Sequence, residues 1–377
     1  MDGFRKVNKN SASCKNYQID AMKLFFAVCV FLYHARIFAP NGSIIRDISN
    51  KFGWFSVHFF FVISGLFMAA HYFREKEYDK SSCGRQSICY IISKIKSIAP
   101  LYLITFAIDF IVYYILNIYN NKGENVIITF INLAAKAIPE FFTLQMFGVR
   151  PIGVNSITWY LSAMFIAMLP MYYIMNKKPD FFFYILSPIL AMSLFAFFYN
   201  SDESFYDQNN FAFIFTGGFL RAVCGISFGV ISYLIADFIK SHFAKKSLFI
   251  TAVEVSFSLF FLVIWFMRTL DASILFPASM LFPIILVIVY SDKSYVSVIF
   301  RCSIFRYLGR CSMWLYMNHY VARKIISETW LLNISDYKIK YIFMFAITLL
   351  SCLLCYCIMR VIKVYSNKIM GSKNNSE

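Results

Sequence analysis

The chain has 377 residues, of which 59% are hydrophobic and 20% are aromatic, whereas only 15% carry a charge. Soluble globular domains contain about 25% charged residues, so this composition excludes an ordinary soluble protein and indicates a polytopic membrane protein. The formal net charge of +16 does not require a nucleic-acid partner, because the basic residues concentrate in alternate loops between apolar segments.

Apolar runs of about 20 residues predict an all-α bundle of about ten transmembrane helices. The run at 126–147 contains Lys136, Pro139 and Glu140, so we expect an interfacial or re-entrant helix there and the fourth true span at 156–176. One membrane domain is predicted at 19–365, between polar tails at 1–18 and 366–377. The predicted spans are 19–38, 54–73, 98–118, 156–176, 181–199, 211–238, 248–268, 272–290, 303–326 and 340–364.

The distribution of Lys and Arg predicts the orientation of the bundle. These residues are frequent in the N-terminal tail and in every second loop, whereas Asn200–Asn210 holds three acidic residues and no Lys or Arg. Because short cytoplasmic loops carry the excess of basic residues, we expect both termini in the cytoplasm.

The first span carries ionisable residues, which cost a few kcal/mol each within a bilayer and are therefore candidate functional residues. Asp20 and Lys23 lie near its start and His34 near its far end. Eleven residues return a helix to nearly the same face, so Lys23 and His34 are expected on one stripe about 16 Å apart. The histidine alone is as consistent with a packed, hydrogen-bonded core residue as with a functional one.

Short motifs then follow in a fixed order. The first span reads Ile19-Asp20-Ala21-Met22-Lys23 with His34, and the second contains Phe60-Phe61-x-x-Ser64-Gly65. Later motifs are Lys94 with Pro100-Leu101-Tyr102, Trp159-Tyr160-Leu161-Ser162-Ala163, Arg221 with Gly225 and Gly229, and Leu308-Gly309 followed by Ser312, Tyr316 and His319. In this order the chain resembles the integral-membrane acyltransferase 3 family, which includes O-antigen and exopolysaccharide O-acetyltransferases and nodulation-factor acylases.

The chain departs from the usual pattern of that family at several positions. Lys23 stands where the family usually has arginine, which keeps the charge but loses the bidentate fork. Ser97 occupies a position that is usually basic, although Lys96 is adjacent. Met164 and His58 replace residues that are acidic in many relatives. These differences indicate a divergent branch.

The resemblance implies a stand-alone enzyme of a bacterial-type cytoplasmic (inner) membrane. Such an enzyme moves an acetyl or other short acyl group from cytoplasmic acyl-CoA to a hydroxyl of a cell-surface or exported carbohydrate, which is an O-acetylation when the group is acetyl. The implied partners are acyl-CoA, the carbohydrate acceptor, lipid-linked or not, and membrane lipid, with no nucleic acid. Acetyl-CoA is expected as the donor substrate, with no metal. His34 would act as the general base or as a transient acyl carrier.

Other residues receive expected roles, each beside a plainer alternative. Ser64 is a second candidate acyl carrier, or a small residue that lets helices approach together with Gly65. Tyr316 and His319 would hold the acceptor or orient His34, or would only join helices. The expected phosphate-binding cations, which could instead be topological anchors, are Lys23, Arg85, Lys94 and Lys96. The expected substrate contacts are Asp20, His58, Trp159 and Arg221, although Arg221 could instead pair with Asp109.

A polysaccharide flippase or polymerase without acyl transfer is the main alternative function. The longest predicted external loop, Asn120–Asn155, is of modest length, whereas polymerases commonly carry large external loops. The order of the motifs and the position of His34 favour the acyltransferase.

Overall fold

Long helices make up most of the described chain. A computed structural model describes residues 16–75, 82–121, 125–149, 152–200, 211–212, 215–267 and 277–373. A three-residue helical turn at Arg36–Phe38 extends the first helix. The sixth helix contains a π-helical segment at Phe182–Leu186. The helices are α1 Gln18–Ala35, α2 Ile44–Arg74, α3 Cys83–Asn120, α4 Val126–Phe141, α5 Trp159–Lys177, α6 Pro179–Asn200, α7 Gly217–His242, α8 Leu248–Phe266, α9 Leu281–Ser291, α10 Ile304–Glu328 and α11 Tyr337–Lys373.

The protein is a multi-pass membrane bundle, as predicted. In the described chain, eight helices are long and apolar enough to cross a bilayer, and a ninth span results if α9 and the bent segment Tyr295–Arg301 count as one. The angle between these two segments is 73°. The predicted span at 303–326 does form a helix, α10, but it is not among the eight because it carries several Arg and Lys residues. Tyr316, Tyr320 and Arg323 of this helix line a cavity and His319 is buried, whereas Arg306 and Arg310 are exposed.

Several helices extend beyond the predicted spans. Helix α2 begins at Ile44 rather than 54, and α3 begins at Cys83 rather than 98. The 38 residues of α3 are about 57 Å long, almost twice the thickness of a bilayer core, so its polar first turns leave the membrane. Helix α11 likewise continues to Lys373, through most of the predicted polar tail. Hydropathy marks where a helix enters lipid, not where its backbone hydrogen bonding begins.

The predicted span at 211–238 begins later, at Gly217. Before it, Phe211–Ala212 (β1) pairs antiparallel with Phe215–Thr216 (β2) in a two-stranded hairpin. The Thr216 hydroxyl then accepts a hydrogen bond from the Phe219 amide (3.3 Å), which caps α7.

Helix α4 is too short to cross the membrane, as expected of an interfacial or re-entrant segment. It has 16 residues, about 24 Å. Its buried residues Thr129, Leu133, Ala137 and Glu140 recur every three or four positions and therefore form one stripe. The ionisable member, Glu140, is completely buried.

Glycines allow α2 and α7 to pack with their backbones in contact. A Cβ atom on Gly65 would overlap the Ile226 carbonyl, and one on Gly229 would overlap the Val62 carbonyl. Such close crossings are typical of membrane helices, where small residues replace a hydrophobic driving force. Helix α1 packs along α10, which brings the helices that carry His34 and His319 together.

Candidate functional site

His34 lines a cavity of about 280 Å³, which we call the His34 cavity. It lies at the C-terminal ends of α1 and α10 and at the start of α5. Three aromatic hydroxyls and two guanidinium groups give it a strongly polar wall. The lining residues are Val30, Tyr33, His34, Gly53, Val57, Ser156, Ile157, Trp159, Arg221, Tyr316, Tyr320 and Arg323.

The imidazole of His34 lies beside that of His319, which α10 contributes. The ring centres are 5.1 Å apart, and the Tyr320 ring lies perpendicular to His34 at 5.9 Å. His319 is completely buried, and its Nδ1 lies 3.1 Å from the Leu315 carbonyl. Because a carbonyl only accepts, Nδ1 carries the proton and Nε2 carries the lone pair. That Nε2 has no hydrogen-bond partner among the described residues.

A loop at 152–158 forms one wall of the His34 cavity, and the buried Glu140 carboxylate holds it. Three consecutive backbone amides donate to this carboxylate: Gly153 (2.6 Å), Val154 (3.2 Å) and Asn155 (3.0 Å). This satisfies a charge that would otherwise be very costly to bury.

Helix α10 fixes the same loop from the other side. The Tyr316 hydroxyl donates to the Ile157 carbonyl (3.0 Å), and the Tyr320 hydroxyl donates to the Ser156 hydroxyl (2.9 Å). Lys324 donates to the Gly153 carbonyl at 2.8 Å. The helix that carries His319 is therefore hydrogen-bonded directly to the cavity wall.

A second cavity of about 380 Å³, which we call the Lys23 cavity, lies toward the opposite ends of α1 and α10. Its wall is mostly apolar, with two lysines. The lining residues are Lys23, Phe60, Ile63, Ser64, Phe67, Lys94, Ser97, Ile98, Tyr160, Leu161, Met164, Met168, Gly309, Ser312, Met313 and Tyr316.

Three aromatic rings separate the two cavities, and we call them the partition: Phe60, Tyr160 and Tyr316. Their ring centres are 6.0–6.1 Å from one another. Tyr316 lines both cavities, so a single side chain is all that lies between them at that point. Lys23 and His34 thus line different cavities along one helix.

Ser64 lies on the Lys23 side of the partition. Its hydroxyl donates to the Phe60 carbonyl (2.7 Å) and lies 3.1 Å from the Tyr160 hydroxyl and 3.4 Å from the Met164 sulfur. The Met164 thioether thus occupies the place beside Ser64 where a glutamate would offer a carboxylate.

The predicted phosphate-binding cations divide into two groups. Lys23 and Lys94 both line the Lys23 cavity, and Lys23 is held by Asp20 at 2.9 Å. Asp20 itself does not line either cavity. Arg85 and Lys96 are exposed and also lie outside both cavities, whereas Ser97 lines the Lys23 cavity beside Lys94.

The predicted substrate contacts also separate. Trp159 and Arg221 line the His34 cavity, with the guanidinium 5.4 Å from the centre of the indole. His58 is buried beside Gly225 of α7 and does not line either cavity. The alternative Asp109–Arg221 pair is absent from the described contacts, because Asp109 accepts instead from the Asn155 amide group.

Sequence reasoning missed four residues at this site: Tyr33, Tyr320, Arg323 and Glu140. The sequence did contain a signal for three of them. Tyr320 is four residues after Tyr316 and therefore shares its helix face, whereas Glu140 and Arg323 are ionisable residues in apolar segments. Tyr33 had none, because its position in the site depends on how α1 meets α10.

The fold and the two cavities define a multi-pass membrane protein with a polar site between its helices. The chain belongs to the acyltransferase 3 family, since the family model, described as an acyltransferase domain, matches residues 16–359. The protein is therefore a membrane acyltransferase. Comparison with curated proteins and with solved structures found no match.

Proposed function

We propose that the protein transfers an acetyl or other short acyl group from cytoplasmic acyl-CoA to a hydroxyl of a cell-surface or exported carbohydrate. The observation that carries the proposal is the pair of cavities that meet at Tyr316, one with two lysines and one with His34. Such an arrangement offers separate approaches for a donor and an acceptor. The Lys and Arg distribution supports an orientation with the Lys23 cavity toward the cytoplasm. The bacterial-type cytoplasmic membrane is what the resemblance to the family implies.

The donor would enter the Lys23 cavity. Lys23 and Lys94 supply cations that suit the phosphates of a coenzyme A nucleotide. The apolar wall beyond them, which includes Phe67 and Met168, suits the uncharged pantetheine arm. The thioester would then reach the partition, beside Tyr316.

The acceptor hydroxyl would enter the His34 cavity. His34 would take the hydroxyl proton as the oxygen attacks the thioester carbonyl. The new oxygen–carbon bond forms, the carbon–sulfur bond breaks, and the proton passes from His34 to the departing thiolate. The products are an acyl ester and free coenzyme A. No redox partner or metal enters this balance.

His319 would orient His34 in this reaction. The lone pair on the buried Nε2 of His319 is available as an acceptor beside the His34 ring. An acceptor there would fix which nitrogen of His34 carries its proton, and hence which nitrogen is the base. Tyr316, hydrogen-bonded to Ile157, would keep α10 in register with the cavity wall.

The contacts of Ser64 favour direct transfer over a seryl intermediate. A serine nucleophile requires an adjacent base, and the contacts of the Ser64 hydroxyl are a carbonyl, a phenol and a thioether. Its position instead suits a lining residue of the donor path. An acyl-histidine at His34 is the remaining covalent route.

The test replaces His34 with alanine in a strain that lacks the native gene. Surface polysaccharide is examined by NMR for acyl ester, and membrane expression is measured in parallel. His242→Ala is the matched control, because His242 is exposed at the end of α7. We expect loss of the ester with His34→Ala and wild-type ester with His242→Ala. Unchanged ester in the His34 variant would exclude this mechanism.

A further inference from the structure

The His34 cavity has an unusual charge. Two guanidinium groups, Arg221 and Arg323, line it, and none of its described lining residues is an aspartate or a glutamate. Arg221 is 1% exposed, and Arg323 is half-buried on the same helix as His319. A carbohydrate with only hydroxyl groups would not need two such cations.

Membrane topology does not account for these cations. Both lie in the half of the protein that we assign to the external side, where the excess of Lys and Arg is not expected. A third, Arg36, follows α1 and stacks on Tyr33, a lining residue, with 3.6 Å between its guanidinium and the ring centre. The cations therefore concentrate around His34 against the topological trend.

Guanidinium groups match carboxylate and phosphate oxygens, which they bind through two parallel hydrogen bonds. Arg221 and Arg323 give the cavity two positive charges, which a carboxylate or phosphate that enters it can neutralise. A cavity of about 280 Å³ is near the small end of ligand sites. An anion bound by Arg221 or Arg323 must therefore lie close to a hydroxyl beside His34.

We propose that the acceptor is an anionic carbohydrate, with a carboxylate or phosphate on the same sugar as the reacting hydroxyl or on its neighbour. This inference rests on the proposed function, because it names the class of acceptor for that site. Arg323 and Arg221 are its anion-binding residues. The carboxylate of an acidic sugar and the phosphate of a phosphorylated or lipid-linked sugar share the required chemistry.

The test measures binding without any acyl donor. Purified full-length protein in detergent is titrated with methyl glucuronide, methyl glucoside and glucose 6-phosphate, and dissociation constants are obtained by ligand-observed NMR. We expect at least one anionic probe to bind about tenfold more tightly than the neutral glucoside, as for one charged hydrogen-bond pair. Preference for the glucuronide indicates an acidic sugar, and preference for the phosphate indicates a phosphorylated acceptor.

Two variants of α10 provide the comparison. Arg323→Gln should remove most of the preference. Arg310→Gln should keep it, because Arg310 also lies near a tyrosine one turn earlier but is exposed at the other end of the helix. Arg221→Gln is the second test variant and is accepted only if it remains monodisperse.

Three results would overturn the proposal: equal binding of all three probes, binding of none, or a preference that survives both Arg323→Gln and Arg221→Gln. A different result would refute the proposed function. If the anion preference is present but acyl transfer is absent, the site recognises anionic sugars and the acyl-transfer mechanism is wrong.

Discussion

Replacement of Glu140 with glutamine should loosen the wall of the His34 cavity while leaving the bundle folded. The carboxylate accepts three backbone hydrogen bonds, two at Oε1 and one at Oε2, and is completely buried. Glutamine keeps one acceptor oxygen, but its amide group presents a donor to at least one amide of the loop. The loop, which includes Ser156 and Ile157, then loses part of its anchor.

The size of the expected loss of loop stability follows from the charge on the Glu140 acceptor. Each hydrogen bond to a charged group contributes about 1.5–3 kcal/mol, against about 0.5–1.5 kcal/mol for a neutral one. Glutamine is less costly to bury than a carboxylate, which offsets part of the loss. We expect the loop to lose roughly 2–4 kcal/mol of local stability. This corresponds to a roughly 30- to 1,000-fold larger equilibrium constant for local opening of the loop.

Hydrogen–deuterium exchange of the purified protein measures this directly. The peptide that contains Gly153, Val154 and Asn155 should exchange faster in Glu140→Gln, while peptides from α2 and α7 should not change. Glu75→Gln is the matched control, because Glu75 is exposed beside His71 at the end of α2. Unchanged protection of the loop in Glu140→Gln would refute the anchoring role.

Two further predictions concern the Lys23 cavity, where we propose that the donor binds, and the packing of α2. Lys23→Ala and Lys94→Ala should each raise the apparent KM for acetyl-CoA about tenfold, because each removes a charged contact with the phosphates. Lys96→Ala is the control and should leave the KM unchanged, because Lys96 is exposed. Equal effects of all three variants in a steady-state assay would contradict this prediction. Gly65→Ala should cost about 1–3 kcal/mol or prevent folding, since its Cβ has no space against α7. Gly84→Ala is the control, because its nearest neighbour is 4.0 Å away; thermal unfolding that is the same for both variants would show that the close crossing is unimportant.

Much of this protein was readable from local sequence. A stretch of about 20 apolar residues must be a helix in lipid, because every backbone polar group has to be satisfied within the segment. The helical bundle, the short helix α4 and the placement of Lys23 and His34 on one helix all follow from that rule and from helical periodicity. The ordered motifs indicated the acyltransferase 3 family, which the family comparison confirms.

The polar residues of some helices explain where the predictions from hydropathy were incomplete. Helix α10 has 25 residues, and its Arg and Lys residues make it less apolar than the other spans, although its Tyr316 and His319 are buried in the protein. Its buried polar side chains are accommodated by contacts with residues that are distant in sequence. The extra turns of α3 likewise lie outside lipid, where hydropathy carries no information about helix ends.

Only the tertiary structure decided how the site is divided. Tyr316 stands between two cavities because α2, α5 and α10 meet at Phe60, Tyr160 and Tyr316, residues separated by 100 or more positions along the chain. The hydrogen bonds between Glu140 and the loop amides span only 13–15 positions, but they too form between separate elements of the fold. Hydropathy and motif spacing describe single helices, whereas cavities and ion contacts exist only between helices, so their geometry is set by the packing of the bundle.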